Sequence, residues 1–140
     1  MIERERINHK IVLIENNLAK LQELSKLDEN EFKSDFRNIE SAKHLLQVSI
    51  ECMIDICEHI VAKKRLGMPD TAAECIRMVF NGGYVSNNNM DTYITMTKFR
   101  NRIVHFYHDL NESEIYHILK NNLIDFKLFI KDIVNGFISE

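Results

Sequence analysis

Backbone breakers are scarce in this chain: one proline, Pro69, and four glycines serve 140 residues. Proline and glycine are the strongest punctuation a sequence carries, and a sheet sandwich needs turn signals at short, regular intervals. The chain must therefore run in long helices joined by few turns, and the fold class expected is all-α. Hydrophobic residues make up 45% and charged residues 28%. That balance belongs to a globular chain with a sizeable core, not to a disordered one. The length suits one helical domain, 1–140.

Apolar spacing lays out the helices. Ile7, Ile11, Ile14, Leu18, Leu21 and Leu24 recur at three- and four-residue steps, one face of a helix from about Ile2 to Leu27. Asp28-Glu29-Asn30 breaks that run with capping side chains. A longer helix is expected from about Glu31 to Arg65. Phe36, Ile39, Ala42, Leu46, Met53, Ile56 and Ile60 form its inner stripe, and Leu45, Ile50, Ile54, Cys57 and Val61 widen it. A helix apolar over more than half its circumference is covered on two sides, so this one is central. Lys63, Lys64 and Arg65 close it, where cations suit the negative end of the helix dipole.

Leu66 to Asp70 is the clearest loop, with Asp70 placed to cap a short helix over about Thr71–Asn81 that Gly82-Gly83 ends. A fourth helix follows Asn87-Asn88-Asn89 and runs from about Met90 to His105 or a little beyond, with Ile94, Phe99, Ile103 and Phe106 toward the core. Asn111 or Ser113 caps a fifth, carrying Ile115, Ile118, Leu119, Leu123, Phe126, Phe129, Ile130 and Ile133. The expected architecture is an up-and-down four-helix bundle with an extra short helix. Ample apolar surface on the second and fifth helices hints at a face for a partner subunit, such as another copy.

A net charge of -3 gives no vote for nucleic acid, yet leaves room for a small basic site. Cys52, Cys57 and Cys75 are odd in number and lack zinc-finger spacing, so they read as small apolar helix residues in a reducing compartment. The charged opening Met-Ile-Glu-Arg-Glu-Arg lacks a signal-peptide apolar region, and no apolar run reaches membrane-spanning length. A cytoplasmic protein without a membrane partner is the default.

The densest polar cluster ends the fourth helix: Lys98, Arg100, Asn101, Arg102, His105, Tyr107 and His108. Asn101 and His105, four apart, share a face, and Arg102 and His105 are also neighbours. Arg100 and His105 are five apart, about 140° around an ideal helix. They meet only through a helix end between them, the reach of the arginine, or an arginine from a second subunit. From spacing alone, a solvated, mildly basic helix end with one tyrosine at the core edge fits better than a catalytic pair. His105 and His108 lack the Cys or carboxylate set that would complete a metal site, so neither metal nor cofactor is expected. Glu51 and Asp55 lie four apart on the long helix, where a cation such as Arg100 or Arg102 could meet them across the bundle.

The stretch Arg100-Asn101-Arg102-Ile103-Val104-His105-Phe106-Tyr107 resembles the R-x4-H-x-Y signature of the HepT-like branch of the HEPN superfamily. Ile50-Glu51, Gly67-Met68-Pro69-Asp70 and Gly82-Gly83 precede it in that family's order, so the likeness spans roughly Phe36 to the C-terminus. The resemblance implies a metal-independent endoribonuclease, a homodimer whose paired Arg/His sets line a shared cleft, and a toxin of a toxin–antitoxin pair. It also implies a minimal nucleotidyltransferase antitoxin that transfers AMP to the motif tyrosine, here Tyr107.

The residue types suit that chemistry. Histidine moves protons near neutral pH, and a guanidinium grips phosphate oxygens bidentately. His105 is expected as general acid or base, Arg100 as the phosphate-binding group and Asn101 as an orienting group. Arg102 and Glu51 are expected in support, the substrate being RNA rather than DNA. Tyr107 suits a switch, since AMP there would put charge and bulk beside His105; a tyrosine that packs its ring and wets its hydroxyl needs no modification. The alternative function is a non-catalytic nucleotide- or substrate-binding subunit for a nucleotidyltransferase partner.

Overall fold

The computed structural model describes residues 3–138; Ile2, the expected start of the first helix, lies outside them. Among the described residues the secondary structure is helical throughout: α1 Arg4–Ser25, α2 Glu29–Ser34, α3 Phe36–Lys64, α4 Ala72–Phe80, α5 Met90–His105, α6 Glu112–Asn121 and α7 Ile124–Ile133. A 3-10 turn covers Tyr107–Asp109 and a π turn Val134–Ile138. The bundle expected from the sequence is present: α1, α3, α5 and the α6–α7 pair are its long members, and short α4 packs on α3 and α5.

Two expected helices are each split. Asp35, in extended conformation, accepts from the Arg37 N–H and starts α3 afresh, separating off α2. A side-chain acceptor thus competes with the helix ladder and wins without any glycine or proline. Asp28 and Glu31 form a reciprocal capping box on α2. The fifth helix breaks at Asn122 and Leu123, where the Asn122 N–H bonds back to the Ile118 carbonyl oxygen and α7 begins at Ile124.

The interior is one continuous cluster fed by every helix. Ile7, Ile11, Ile14, Leu18 and Leu21 of α1 meet the α3 stripe of Ile39, Ala42, Leu46, Met53, Ile56 and Ile60. Phe36, expected in that stripe, is 73% exposed because the break at Asp35 leaves it at the first turn of α3. Phe106 is 58% exposed, since α5 stops at His105 and helical spacing no longer applies to it. Cys52, Cys57 and Cys75 are buried free thiols, as the sequence suggests. Among the described residues, no helix is long and apolar enough to cross a membrane.

At the far end of α3, Arg65 adopts the left-handed conformation and the Leu66 N–H bonds to the Val61 carbonyl oxygen at 3.0 Å, a Schellman closure. Thr71, not Asp70, caps α4: its hydroxyl accepts from the Glu74 N–H at 3.1 Å, while the Asp70 N–H donates to the Glu74 carboxylate. Thr71→Ala is expected to cost about 1 kcal/mol, read as a lower urea midpoint; an unchanged midpoint would mean the cap adds nothing. Gly136 lies in the π turn, where a Cβ would come within 2.0 Å of Val85 Cγ1. The next residue, Phe137, stacks at 5.4 Å on Tyr84 of the α4–α5 connection.

Candidate functional site

Helix α5 carries the polar cluster and divides it between faces. Tyr93, Ile94, Thr97 and Ile103 bury one side and fix the helix in the bundle. Arg100 and Arg102 are about 200° apart on an ideal helix, and each finds its own carboxylate. Arg102 forms a bidentate bridge to Glu114 of α6, at 3.0 and 2.7 Å, which holds its guanidinium more firmly protonated. That bridge borders a groove of about 520 Å³ between α3, α5, α6 and α7, whose apolar lining includes Leu46, Ile50, Phe99 and Ile118.

Arg100 is held differently. It points toward α3, where Nη1 stands 3.7 Å from Glu51 Oε2, beyond hydrogen-bond reach. Its Nε is buried and, among the described residues, has no hydrogen-bond partner. A buried unmet donor costs about 1–3 kcal/mol and asks for an explanation. Arg102 has its fork filled, whereas Arg100 has donors to spare. Glu51 meets Arg100 as the sequence suggests, while Asp55 turns away to Lys10 of α1 at 3.0 Å.

His105 is the last residue of α5 and is exposed, as is Asn101 one turn earlier. No helix end lies between Arg100 and His105, so that route to their meeting is closed. Val104 and Phe106, at 47% and 58% exposure, flank His105 with apolar surface in water. After Phe106 the chain leaves helical geometry, and Tyr107 opens the 3-10 turn.

Tyr107 is half-buried and faces α3, not water alone. Its hydroxyl donates to the Glu40 carboxylate, and burial followed by that bond pushes the phenol up to about 12. Lys43 Nζ donates to the Tyr107 carbonyl oxygen at 2.8 Å and lies 4.5 Å from the ring centroid. Neither Glu40 nor Lys43 stands out in the sequence as a functional residue. The available signal is Lys43, a cation in step with Ile39 and Leu46 on an apolar stripe, where burial demands partners.

Comparison with known proteins places the chain. The profile described as Ribonuclease HepT-like matches residues 14–133, reaching into α1 and so beyond the span of the sequence resemblance. The mRNA nuclease HepT of Shewanella oneidensis is 30% identical over 124 residues, covering 89% of this chain and 92% of that protein. The tRNA nuclease HepT of Aphanizomenon flos-aquae is 24% identical over 127 residues, covering 91% and 86%. Among solved structures, the tri-AMPylated Shewanella oneidensis HEPN toxin in complex with MNT antitoxin matches with a TM-score of 0.83 and 30% identity, over 91% of this chain and 96% of that one. In sequence over most of its length, and in fold, this chain belongs to the ribonuclease HepT-like family.

Proposed function

We propose that this protein is the RNA-cleaving toxin of a toxin–antitoxin pair, with Arg100 and His105 as its catalytic residues and Tyr107 as the residue that a minimal nucleotidyltransferase silences with AMP. The observation that carries the reading is the state of Arg100: a partly buried guanidinium with an unmet Nε and only a 3.7 Å ion pair to Glu51. A structural arginine would have its fork filled, as Arg102 does through Glu114. A phosphate supplies the acceptors that Arg100 lacks.

The reaction follows from the residue types. RNA carries its own nucleophile, the 2′-hydroxyl beside the scissile phosphate, so the protein need only move protons and stabilise charge. His105 takes the proton from the 2′-oxygen or returns one to the departing 5′-oxygen. Arg100 holds the phosphate while negative charge accumulates on its oxygens. Asn101, exposed on the same face as His105, orients the histidine or the substrate. Glu51 aims Arg100, and Arg102 reaches RNA only by exchanging Glu114 for a phosphate.

A homodimer completes the site. Arg100 and His105 sit on one unbroken helix about 140° apart, so a single chain presents them in different directions. A second copy across a two-fold axis brings the Arg100 of one protomer toward the His105 of the other and supplies two histidines, one for each proton transfer. Val104 and Phe106, exposed beside His105, give that contact an apolar surface to cover. The chain acts as one helical domain in the cytoplasm, where RNA is its substrate and DNA and membranes are not.

The test is RNA cleavage by purified, unmodified protein before and after incubation with the nucleotidyltransferase and magnesium ATP. Cleavage that disappears as the Tyr107 peptide gains AMP is the expected result. Intact RNA from unmodified, folded protein would instead favour a non-catalytic binding subunit.

A further inference from the structure

Apart from Arg100 and His105, α3 builds a second polar arrangement, around Tyr107. Backbone, ring and hydroxyl of this one residue are each engaged. The hydroxyl donates to Glu40 Oε2. The carbonyl oxygen accepts from Lys43 Nζ at 2.8 Å, and the ring lies beneath the same ammonium. Lys43 is 5% exposed and stands 3.9 Å from Glu40 Oε1, so every partner it has in this corner belongs to Tyr107 or Glu40. The other titratable neighbour is His108, whose ring meets that of Tyr107 edge-on at 5.6 Å. A tyrosine that merely packs its ring has no use for a buried ammonium and a carboxylate, and burying that ammonium is costly unless it is paired and hydrogen-bonded, as it is here to Glu40 and the Tyr107 carbonyl oxygen.

We propose that Glu40 is the general base for nucleotidyl transfer to Tyr107, accepting the phenol proton as the Tyr107 oxygen attacks the α-phosphorus of a nucleoside triphosphate, with Lys43 positioning the acceptor. The inference rests on the reading of Tyr107 as the AMP acceptor. The step balances without an oxidant or reductant. The bond formed joins Tyr107 Oη to the α-phosphorus, and the bond broken joins that phosphorus to the oxygen bridging to the β-phosphate. Pyrophosphate leaves with the electron pair, and the proton passes to Glu40 Oε2. The need for a base is set by the same surroundings: burial and the Glu40 bond push the phenol up to about 12, so free phenolate is scarce at neutral pH. The nucleophile must lose its proton during attack, and a carboxylate already hydrogen-bonded to it is within the reach that general-base catalysis requires. One bond therefore keeps the phenol neutral at rest and carries its proton away in the reaction. Lys43 holds ring and carbonyl, so the hydroxyl stays aimed at that carboxylate.

The experiment uses the full chain, purified unmodified, with the nucleotidyltransferase and magnesium ATP. The readout is the initial rate of AMP incorporation at Tyr107, followed by peptide mass spectrometry from mildly acidic to mildly alkaline pH. Glu40→Gln is expected to slow transfer about 100-fold or more at neutral pH. It is also expected to make the rate climb with pH by about tenfold per unit, because only preformed phenolate then reacts. Glu40→Asp keeps a carboxylate and recovers the flatter wild-type profile with part of the rate. Lys43→Met lowers the rate while leaving the profile unchanged. Thermal melts of each variant separate loss of the base from loss of the fold. A Glu40→Gln protein that is modified at the wild-type rate with the wild-type profile overturns the assignment of Glu40 alone and moves the base to the partner enzyme. Wild-type protein that takes no AMP at Tyr107 overturns the acceptor reading and this inference with it.

Discussion

His105→Ala is expected to reduce RNA cleavage by the purified protein about 10²–10⁴-fold, the range a positioned acid or base contributes. Growth arrest on induction without the antitoxin should disappear with it. Arg100→Ala should cost about 10²–10³-fold, the scale of one lost oxyanion-type donor. Arg100→Lys should not recover the activity, because a point charge cannot replace a planar fork at a bidentate site. His105 is exposed at the end of α5, so its removal leaves the core untouched and the melting temperature near that of wild type. Arg102→Ala is the internal contrast: its guanidinium is already satisfied by Glu114, and its loss should change cleavage only severalfold. Total RNA from induced cultures gives the same comparison in cells. Full activity in His105→Ala would remove the histidine from the mechanism.

The largest effect on stability is expected from Phe129→Ala. Phe129 meets Tyr93 edge-on at 5.2 Å and Phe80 at 6.1 Å, while Phe80 and Tyr93 lie 5.0 Å apart. Phe129 and Tyr93 are fully buried and Phe80 is 1% exposed, so the three rings lock α4, α5 and α7 together. The Tyr93 hydroxyl donates to Asp132 at 2.5 Å, and burial first, then that carboxylate, push the phenol well above its ordinary value. Truncating one ring removes its transfer free energy and leaves a cavity the other two cannot fill, a loss of about 3–5 kcal/mol. Urea unfolding monitored by helical circular dichroism measures it directly. A loss below about 1 kcal/mol would mean that the site collapses to fill the void. Activity per folded molecule should persist, since the rings lie in the core whereas His105 is exposed at the end of α5.

The sequence revealed what periodicity and breakers control and was silent where side chains overrode them. Sparse proline and glycine announced helices, and the spacing of Ile7 through Leu21 and of Ile39 through Ile60 named the faces that are buried. The Arg100–Tyr107 stretch was visible as a motif, and Glu51 was anticipated as a partner for Arg100 because a carboxylate on an apolar helix needs a cation. The break at Asp35 was hidden because its cause is a carboxylate bonding to the Arg37 N–H, which no breaker residue marks. Phe36 and Phe106 were misplaced for a related reason: periodicity holds only inside a helix, and both lie at helix boundaries. Glu40 escaped notice because its partner is 67 positions away, and no local pattern encodes a contact of that span.

The π turn at Val134–Ile138 bears on how the motif helix is held. With Gly136 against Val85 and Phe137 against Tyr84, the last described turn presses on the connection that delivers the chain into α5. The motif lies at the other end of that helix, so the far C-terminal residues act as a buttress for its root. A bulky group at position 136 would be felt first as a loosened entry to α5, and only through that rod, 16 residues long, at the Arg100–His105 end. The proposed catalytic residues and the last described turn are thus mechanically in series.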